Sequence, residues 1–374
     1  MHKNGHILIT GGAGFIGSHL ADELINSGYK VRIMDNLSEQ VHGSRPDRPA
    51  YLNELADLVP DDVRNRQALD GALKGIDAVF HLAAAVGVGQ SMYRISHYTS
   101  SNNLGTAVLL EALASKRIKR LVAASSMSIY GEGLYRSPNG MLHDQIERSL
   151  DQLKAGQWEM RDDKGEVLVP VPTPENKRPS LSSVYALSKF DQEKLCLMAG
   201  KAYGIHTVAL RFFNVYGTRQ ALSNPYTGVL SIFASRLMND NPPVIYEDGN
   251  QMRDFVNVRD VARACRLALE SLDAPGRVFN IGSGSPQTVL NVASKLARIL
   301  GKGHIEPVVS GKYRVGDIRH CLADISLARN VLGFEPSVRF EDGLSELANW
   351  LDSQTAFDRI NEANNELMSR GLVI

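Results

Sequence analysis

The chain has 374 residues, 43% of them hydrophobic and 22% charged, enough for a sizeable core in one large or two intimate domains. Lys+Arg and Asp+Glu both number 41. With no net charge and no basic run to follow a nucleic-acid backbone, the expected partners are small molecules, with no nucleic acid and no membrane. Cys196, Cys265 and Cys321 are odd in number, widely separated and without C-x-x-C spacing, which argues against a disulfide framework or a zinc site. The chain opens almost directly on an apolar strand, leaving no room for a signal peptide. No apolar run approaches membrane-spanning length, so a reducing, cytoplasmic setting is expected.

Ile7, Leu8 and Ile9 form a short apolar run suited to a buried parallel strand, and Gly11, Gly12, Gly14 and Gly17 follow at once. A helix opens at Phe15, with Ile16, Leu20 and Leu24 recurring along one side. The next apolar run, Val31 to Met34, ends at Asp35. In such a strand, glycine turn, helix, strand unit the glycines let the backbone approach a pyrophosphate. Free N–H groups at the helix N-terminus face the anion. A carboxylate ending the second strand accepts hydrogen bonds from a ribose diol and repels a 2′-phosphate, so Asp35 predicts NAD over NADP. The plainer alternative is a tight strand-to-helix connection that binds nothing. The strand, the helix and Asp35 in one context favour the nucleotide site.

Asn36 to Pro49 reads as a loop beside the adenosine end. Leu58-Val59 is expected as a third short strand and Ala78 to Leu82 as a fourth, running into Ala83-Ala84-Ala85. Small residues at a strand's C-terminal end suit a cofactor crevice, or equally close helix–sheet packing. Ser101 to Ser115 reads as a helix with Leu104, Val108 and Leu109 on one face, and Leu121 to Ala124 as a strand leading to Ser125-Ser126. Glu132 to Pro179 is a long polar segment. A helix then starts near Ser182 or Ser183, and a strand over Thr207 to Arg211 leads into Phe212 and Asn214. This alternation predicts an α/β fold, a Rossmann-type doubly wound parallel sheet.

Beyond Asn214 prolines and glycines mark a smaller, loop-rich C-terminal α/β region, with helices near Ser231 to Met238 and Val258 to Leu272. A last helix, Phe357 to Leu367, spaces Phe357, Ile360, Ala363 and Leu367 as a packing face. The expected division is a Rossmann domain over 1–212, with an insertion at about 133–178 and a return near 255–280. Residues 213–374 then form mainly the substrate-binding region.

Tyr185 and Lys189 lie four apart on a helix, so both project from one face. A lysine ammonium near a phenol stabilises phenolate, as a general base requires. Ser126, at a strand end, can hydrogen-bond the same substrate hydroxyl. Alone, Y-x-x-x-K is a common surface pair; after a nucleotide fingerprint and a Ser-Ser strand end it is far more specific.

From Ile7 to about Trp350 the chain resembles the extended short-chain dehydrogenase/reductase family, the NAD-dependent nucleotide-sugar epimerases and dehydratases. The resemblance rests on the Gly11 to Gly17 turn, Asp35, Asp62-Val63, His81 to Ala84, Asn102 with Gly105-Thr106, and Ser125-Ser126. It continues through Tyr185 to Lys189, Arg211 to Gly217, Arg253 to Val256 and Arg314 to Asp317. It implies catalytic roles for Ser126, Tyr185 and Lys189, Tyr185 taking the proton of the sugar C4 hydroxyl. NAD would contact Gly11, Gly14, Phe15, Ile16, Gly17, Asp35, Asn36, Asp62, Val63, Leu82, Ala83, Ala84, Asn102, Ser125 and Phe212, together with Tyr185 and Lys189. A nucleotide-diphosphate sugar would contact Val88, Ser126, Asn214, Val229, Arg253 and Arg314, the two arginines taking diphosphate or nucleoside. No metal is implied. The helices Ser101 to Ser115 and Val184 to Tyr203 resemble a dimer-forming pair, so a homodimer is expected, with Leu195, Leu197 and Met198 either in that face or in the core.

Departures from the pattern select the reaction. Dehydratases of the family carry an Asp-Glu pair where this chain has Met127 and Ser128, so water loss lacks its proton donor. Related decarboxylases usually keep the glutamate, so Ser128 argues against them too. The expectation is a 4-epimerase acting on a dTDP-6-deoxyhexose such as dTDP-L-rhamnose. The alternatives are a UDP-glucose or UDP-glucuronate 4-epimerase, a 4-keto-sugar reductase, and a non-enzymatic dinucleotide-binding module. The separation of Ser126 from Tyr185 exceeds the family's usual one. The extra residues, Gly133 to Arg178, read as a lid over the sugar or as a surface excursion.

Overall fold

Ile7, Leu8 and Ile9 are fully buried, which requires apolar cover on both sheet faces and therefore helices above and below. The computed structural model, described here for residues 5–43, 47–226, 228–314 and 316–373, supplies them. The central parallel sheet has seven strands in the order Val278–Ile281, His206–Phe212, Arg120–Ser126, Ala78–His81, His6–Thr10, Lys30–Asp35 and Asp57–Pro60. The register pairs Ile7 with Val31 on one side and with Ala78 on the other. Strand order reverses beside His6–Thr10, and in open sheets of this kind the ligand crevice lies there, at the carboxyl ends of the strands.

Separate apolar clusters fill the two faces. Ile7, Ile9, Leu20, Leu24 and Val261 lie on one, bringing helices Phe15–Asn26 and Val258–Glu270 against the sheet. Leu8, Val79, Leu109, Leu121 and Cys196 lie on the other, under helices Gly105–Ala114 and Val184–Tyr203. The doubly wound Rossmann architecture follows from this arrangement. Val278–Ile281 joins this sheet although it follows more than sixty residues of other structure.

The second region is built on a mixed sheet. Its order is Asn214–Tyr216, Met252–Asn257, His320–Ala323, Val169–Thr173, Leu134–Arg136 and Leu142–His143, with Pro286–Thr288 antiparallel to Met252–Asn257. Three of these strands come from the segment expected as a loop. Short strands with at most one buried residue each, Tyr135 in one and Thr173 in another, carry too little periodicity to be seen. Pro170 and Pro172 also lie inside Val169–Thr173, a composition that reads against a strand. The strand nonetheless pairs on both edges, antiparallel to Leu134–Arg136 and parallel to His320–Ala323.

Two helices differ from expectation. Thr99–Leu104 is a π-helical turn, followed by the α-helix Gly105–Ala114, and Leu104 is exposed rather than packed with Val108 and Leu109. The last helix is Ile360–Ser369. It buries Ile360, Ala363 and Leu367 as spaced, whereas Phe357 lies outside it and is exposed. Among the described residues no helix is long and apolar enough to cross a membrane, and no cluster of His, Cys, Asp and Glu could hold a metal.

Candidate active site

One cavity of about 830 Å³ runs along the carboxyl ends of the central strands. Gly11, Gly14, Phe15, Ile16 and Gly17 form its floor. Gly11 has φ +70°, and a Cβ there would come within 2.7 Å of Ala83 N, so the turn admits only glycine without displacing the neighbouring strand end. The helix Phe15–Asn26 begins immediately after extended Gly14, with no side-chain cap. Its first N–H groups are thus left for a ligand anion.

Asp35 stands at one end, its carboxylate held by Ala13 N at 3.0 Å and Leu37 N at 2.9 Å. Two fixed backbone donors leave its remaining lone pairs for a ribose diol. Asn36 donates to Asp62 at 2.9 Å. The Arg64 guanidinium, hydrogen-bonded to Asp62, is the main reason the Asp62 carboxyl sits at about 2. This end of the cavity is polar and carboxylate-lined, as an adenosine with its diol requires. The glycine cradle, the uncapped helix end and Asp35 together fit NAD.

At the other end stand Ser126, Tyr185 and Lys189, all lining the cavity. Ser183 caps the helix Val184–Tyr203 by accepting from Ala186 N, which fixes Tyr185 and Lys189 in the first two turns. Burial pushes the Tyr185 phenol up, and the Ser126 hydroxyl pulls it down. Ser128 Oγ donates to Ser126 Oγ at 2.9 Å. Burial lowers Lys189 to about 8, which still leaves the ammonium largely charged at neutral pH. Its Nζ donates to Gln192 Oε1 at 2.7 Å, and Gln192 Nε2 donates to Thr106 Oγ1 at 2.8 Å. His81 bridges Thr106 and Thr10, at 2.9 Å and 2.8 Å. Gln192 was not singled out from the sequence. It lies one helical turn beyond Lys189, and that spacing is the signal that could have found it.

Of the residues expected around NAD, Asn36, Asp62, Val63, Leu82, Ala83, Ala84, Ser125 and Phe212 also line the cavity. Asn102 does not. Fully buried in the π-helical turn, it accepts from Ala85 N at 2.7 Å and donates to Ala85 O and Ser188 Oγ. It shapes the loop after Ala83-Ala84.

Of the residues expected around the sugar nucleotide, Ser126, Asn214 and Val229 line the cavity. Val88 is exposed, and its loop presents Val86 and Gln90 instead. Arg253 donates to the carbonyls of Met252, Arg319 and Ile318, which turns it into the second sheet. Arg314 lies over the Tyr246 ring, 4.6 Å from its centre, and pairs through its backbone with Val373. Neither arginine reaches the lining. The segment 133–178 contributes nothing to it either.

Comparison with known proteins bears on this geometry. Residues 7–149 and 163–282 match the NAD dependent epimerase/dehydratase family. The chain belongs to that family. NAD is accordingly its cofactor. A dTDP-L-rhamnose 4-epimerase of Burkholderia thailandensis is 36% identical over 95% of this chain and 96% of its own length. A UDP-N-acetylglucosamine 4-epimerase from Methanobrevibacter ruminantium M1 superposes with a TM-score of 0.76 at 32% identity, covering 95% of this chain and 100% of that one. A UDP-glucuronic acid 4-epimerase from Bacillus cereus, solved with UDP-glucuronic acid and NAD, has a TM-score of 0.72 at 30% identity, covering 93% and 99%. These epimerase relatives differ in sugar and in base.

Proposed function

We propose that the protein is a nucleotide-sugar 4-epimerase acting on a dTDP-6-deoxyhexose such as dTDP-L-rhamnose. The observation that carries the reading is where the acids stand. Among the described residues lining the cavity the carboxylates are Asp35, Glu39, Asp61 and Asp62, which follow the second and third strands at the adenosine end. The Tyr185 end has none. Expelling a sugar hydroxyl as water requires a proton donor beside the leaving group, and Met127 and Ser128 offer no carboxyl. Oxidation at C4 requires only a base for the hydroxyl proton, and Tyr185 with Ser126 supplies one.

Tyr185 takes the C4 hydroxyl proton while Ser126 holds the oxygen, and the neighbouring Lys189 ammonium favours the phenolate. Bound NAD supplies the acceptor for the C4 hydride, with its electron pair, and gives it back. After the 4-keto sugar turns, Tyr185 returns its proton to the C4 oxygen, so the configuration inverts with no net oxidation. The fully buried chain from Lys189 through Gln192 and Thr106 to His81 holds the lysine still throughout.

The substrate reading rests on two supports. The B. thailandensis relative acts on dTDP-L-rhamnose by name, and the cavity lining includes the apolar Val86, Phe213, Leu230 and Phe255, company suited to a C6 methyl group. A homodimer is supported by exposed Leu104, Leu187 and Met198 on the two helical segments expected to pair.

The test is incubation of the purified protein, without added cofactor, with dTDP-L-rhamnose, UDP-glucose and UDP-glucuronate in turn, following the C4 proton by NMR. A C4 epimer of dTDP-L-rhamnose is expected, with Tyr185→Phe lowering the rate about 10²- to 10⁴-fold while NAD stays bound. Epimerisation of a UDP-sugar alone moves the substrate. Stoichiometric oxidation of added NADH by a 4-keto sugar, with no epimer formed, replaces the epimerase by a reductase.

A further inference from the structure

Gln40, Gln90 and Asn224 come from three separate stretches of chain and meet in one cluster of side-chain amides. Gln40 Nε2 donates to Gln90 Oε1 at 3.2 Å and to Asn224 Oδ1 at 3.3 Å, and Gln90 Nε2 returns a bond to Gln40 Oε1 at 3.4 Å. All three residues line the cavity. Gln40 follows the strand Lys30–Asp35, and Gln90 follows Ala78–His81. Those two strands flank His6–Thr10 on its opposite sides, and the glycine turn leaves His6–Thr10 between them. A bond from the chain after one flanking strand to the chain after the other therefore spans the crevice whose floor is that turn. Asn224 brings the second region to the same point.

The supports of this span are themselves anchored. Gln90 Oε1 also accepts from Tyr98 OH at 3.0 Å, and the next residue, Ser91, accepts through its Oγ from Tyr185 N at 3.0 Å. The Gln90 side is thus tied to the helix that carries the catalytic pair. Asn224 Oδ1 holds Tyr226 N at 3.1 Å. The chain leading to Asn224 is fixed to the helix Phe15–Asn26, where Arg219 meets Asp22 at 2.8 Å and His19 Nε2 donates to the Thr218 carbonyl at 3.1 Å. Gln90 and Asn224 are buried, whereas Gln40 is exposed, the pattern of an outer bar seated on two inner supports.

We propose that Gln40, Gln90 and Asn224 form a latch across the dinucleotide cleft that slows the exit of NAD. An epimerase takes a hydride from its substrate and gives it back to the same molecule, so the reduced cofactor must stay until the return; release in between would strand a keto sugar. Amide-to-amide bonds suit that task. Each is weak beside water, so the latch opens at intervals without a change of fold, and exit requires its bonds to be open at once. The inference is independent of which sugar or base the substrate carries. Uncharged glutamines in stretches without periodicity give no signal in the sequence, and only the strand order brings them together.

The test is exchange of bound NAD, in the purified NAD-bound protein, against an excess of isotopically labelled NAD followed by mass spectrometry. Gln40→Ala removes the whole set of bonds from an exposed position and should speed release about tenfold, the order expected for the loss of one or two neutral hydrogen bonds. Gln90→Ala should speed it to a similar extent. The double variant should release NAD no faster than the quicker single, because either change alone opens the same latch. Should Gln90→Ala not fold, Gln40→Ala combined with Asn224→Ala is read in the same way. Release unchanged in Gln40→Ala overturns the inference. So do single effects that multiply in the double variant, which would mean that each amide bonds the dinucleotide separately.

Discussion

His81 is completely enclosed between Thr10 and Thr106, and burial lowers its pKa to about 3. An unfolded chain titrates histidine near 6.5. Between those values the unfolded state binds the extra proton, so stability present above pH 6.5 is lost as the pH falls toward 3, at about 1.4 kcal/mol per pH unit for one proton. His19, lowered by burial to about 4, acts in the same direction. Replacing His81 by Asn should flatten the fall in melting temperature between pH 6.5 and 4.5; curves parallel to wild type would refute this origin. At this scale the sequence was legible where chemistry demands fixed spacing. Tyr185, Lys189, Ser126 and the glycine turn all stand in the cavity. It was illegible where a long side chain chooses among distant partners. Arg253 and Arg314 carry the right charge for a diphosphate, but Arg253 donates to the carbonyls of Met252, Ile318 and Arg319 and Arg314 lies over the Tyr246 ring, neighbours that the local sequence does not announce.

The helix Val184–Tyr203 carries the catalytic pair, and its attachment to the sheet is ionic as well as apolar. Arg211, on the adjacent strand, meets fully buried Glu193 through two parallel bonds of 2.9 Å and 2.8 Å, and Ser125 Oγ donates to the same carboxylate at 2.8 Å. One carboxylate thus ties the catalytic helix to strands His206–Phe212 and Arg120–Ser126. The second of these strands presents Ser126. Glu193→Ala leaves a buried guanidinium with only the Tyr130 hydroxyl and the Glu175 carbonyl, and a buried pair broken from one side costs about 3–5 kcal/mol. Denaturant unfolding should show that loss; a difference under about 1 kcal/mol, the worth of a surface pair, would mean the link is not structural. Long elements were readable because burial imposes a period on them. The π-helical turn at Thr99–Leu104 was not, since an added residue per turn changes hydrogen bonding without changing composition.

Across the whole molecule, the insertion is tied to the second sheet by a charge cluster that no motif announces. Arg319 has no exposed surface. It donates to Glu247 at 3.0 Å, to Asp248 at 2.6 Å and to Glu159 at 3.2 Å, and Glu159 lies in the insertion. Glu132 accepts from Arg319 N at 2.6 Å, and Arg148 reaches Glu247 at 2.7 Å. Hydrogen bonding to His320 and Arg319 holds the Glu159 carboxyl at about 2, so Glu159 stays charged at any working pH, while burial raises the Glu247 carboxyl. The insertion was read as a loop because it is mostly polar, and polarity usually means solvent. Here acids and arginines satisfy one another inside, and a few apolar residues such as Tyr135, Met160 and Leu168 complete a small core. Arg319→Ala would strand three carboxylates around an empty space and should destabilise the second sheet by about 3–5 kcal/mol. New protease cuts are expected between residues 137 and 168, where the strands lose their partner. The folded fraction should keep its NAD, because no residue of that segment lines the cavity. Undiminished protease resistance would show that the apolar contacts alone hold the insertion. Loss of NAD before any cut appears would show instead that the second sheet supports the dinucleotide floor.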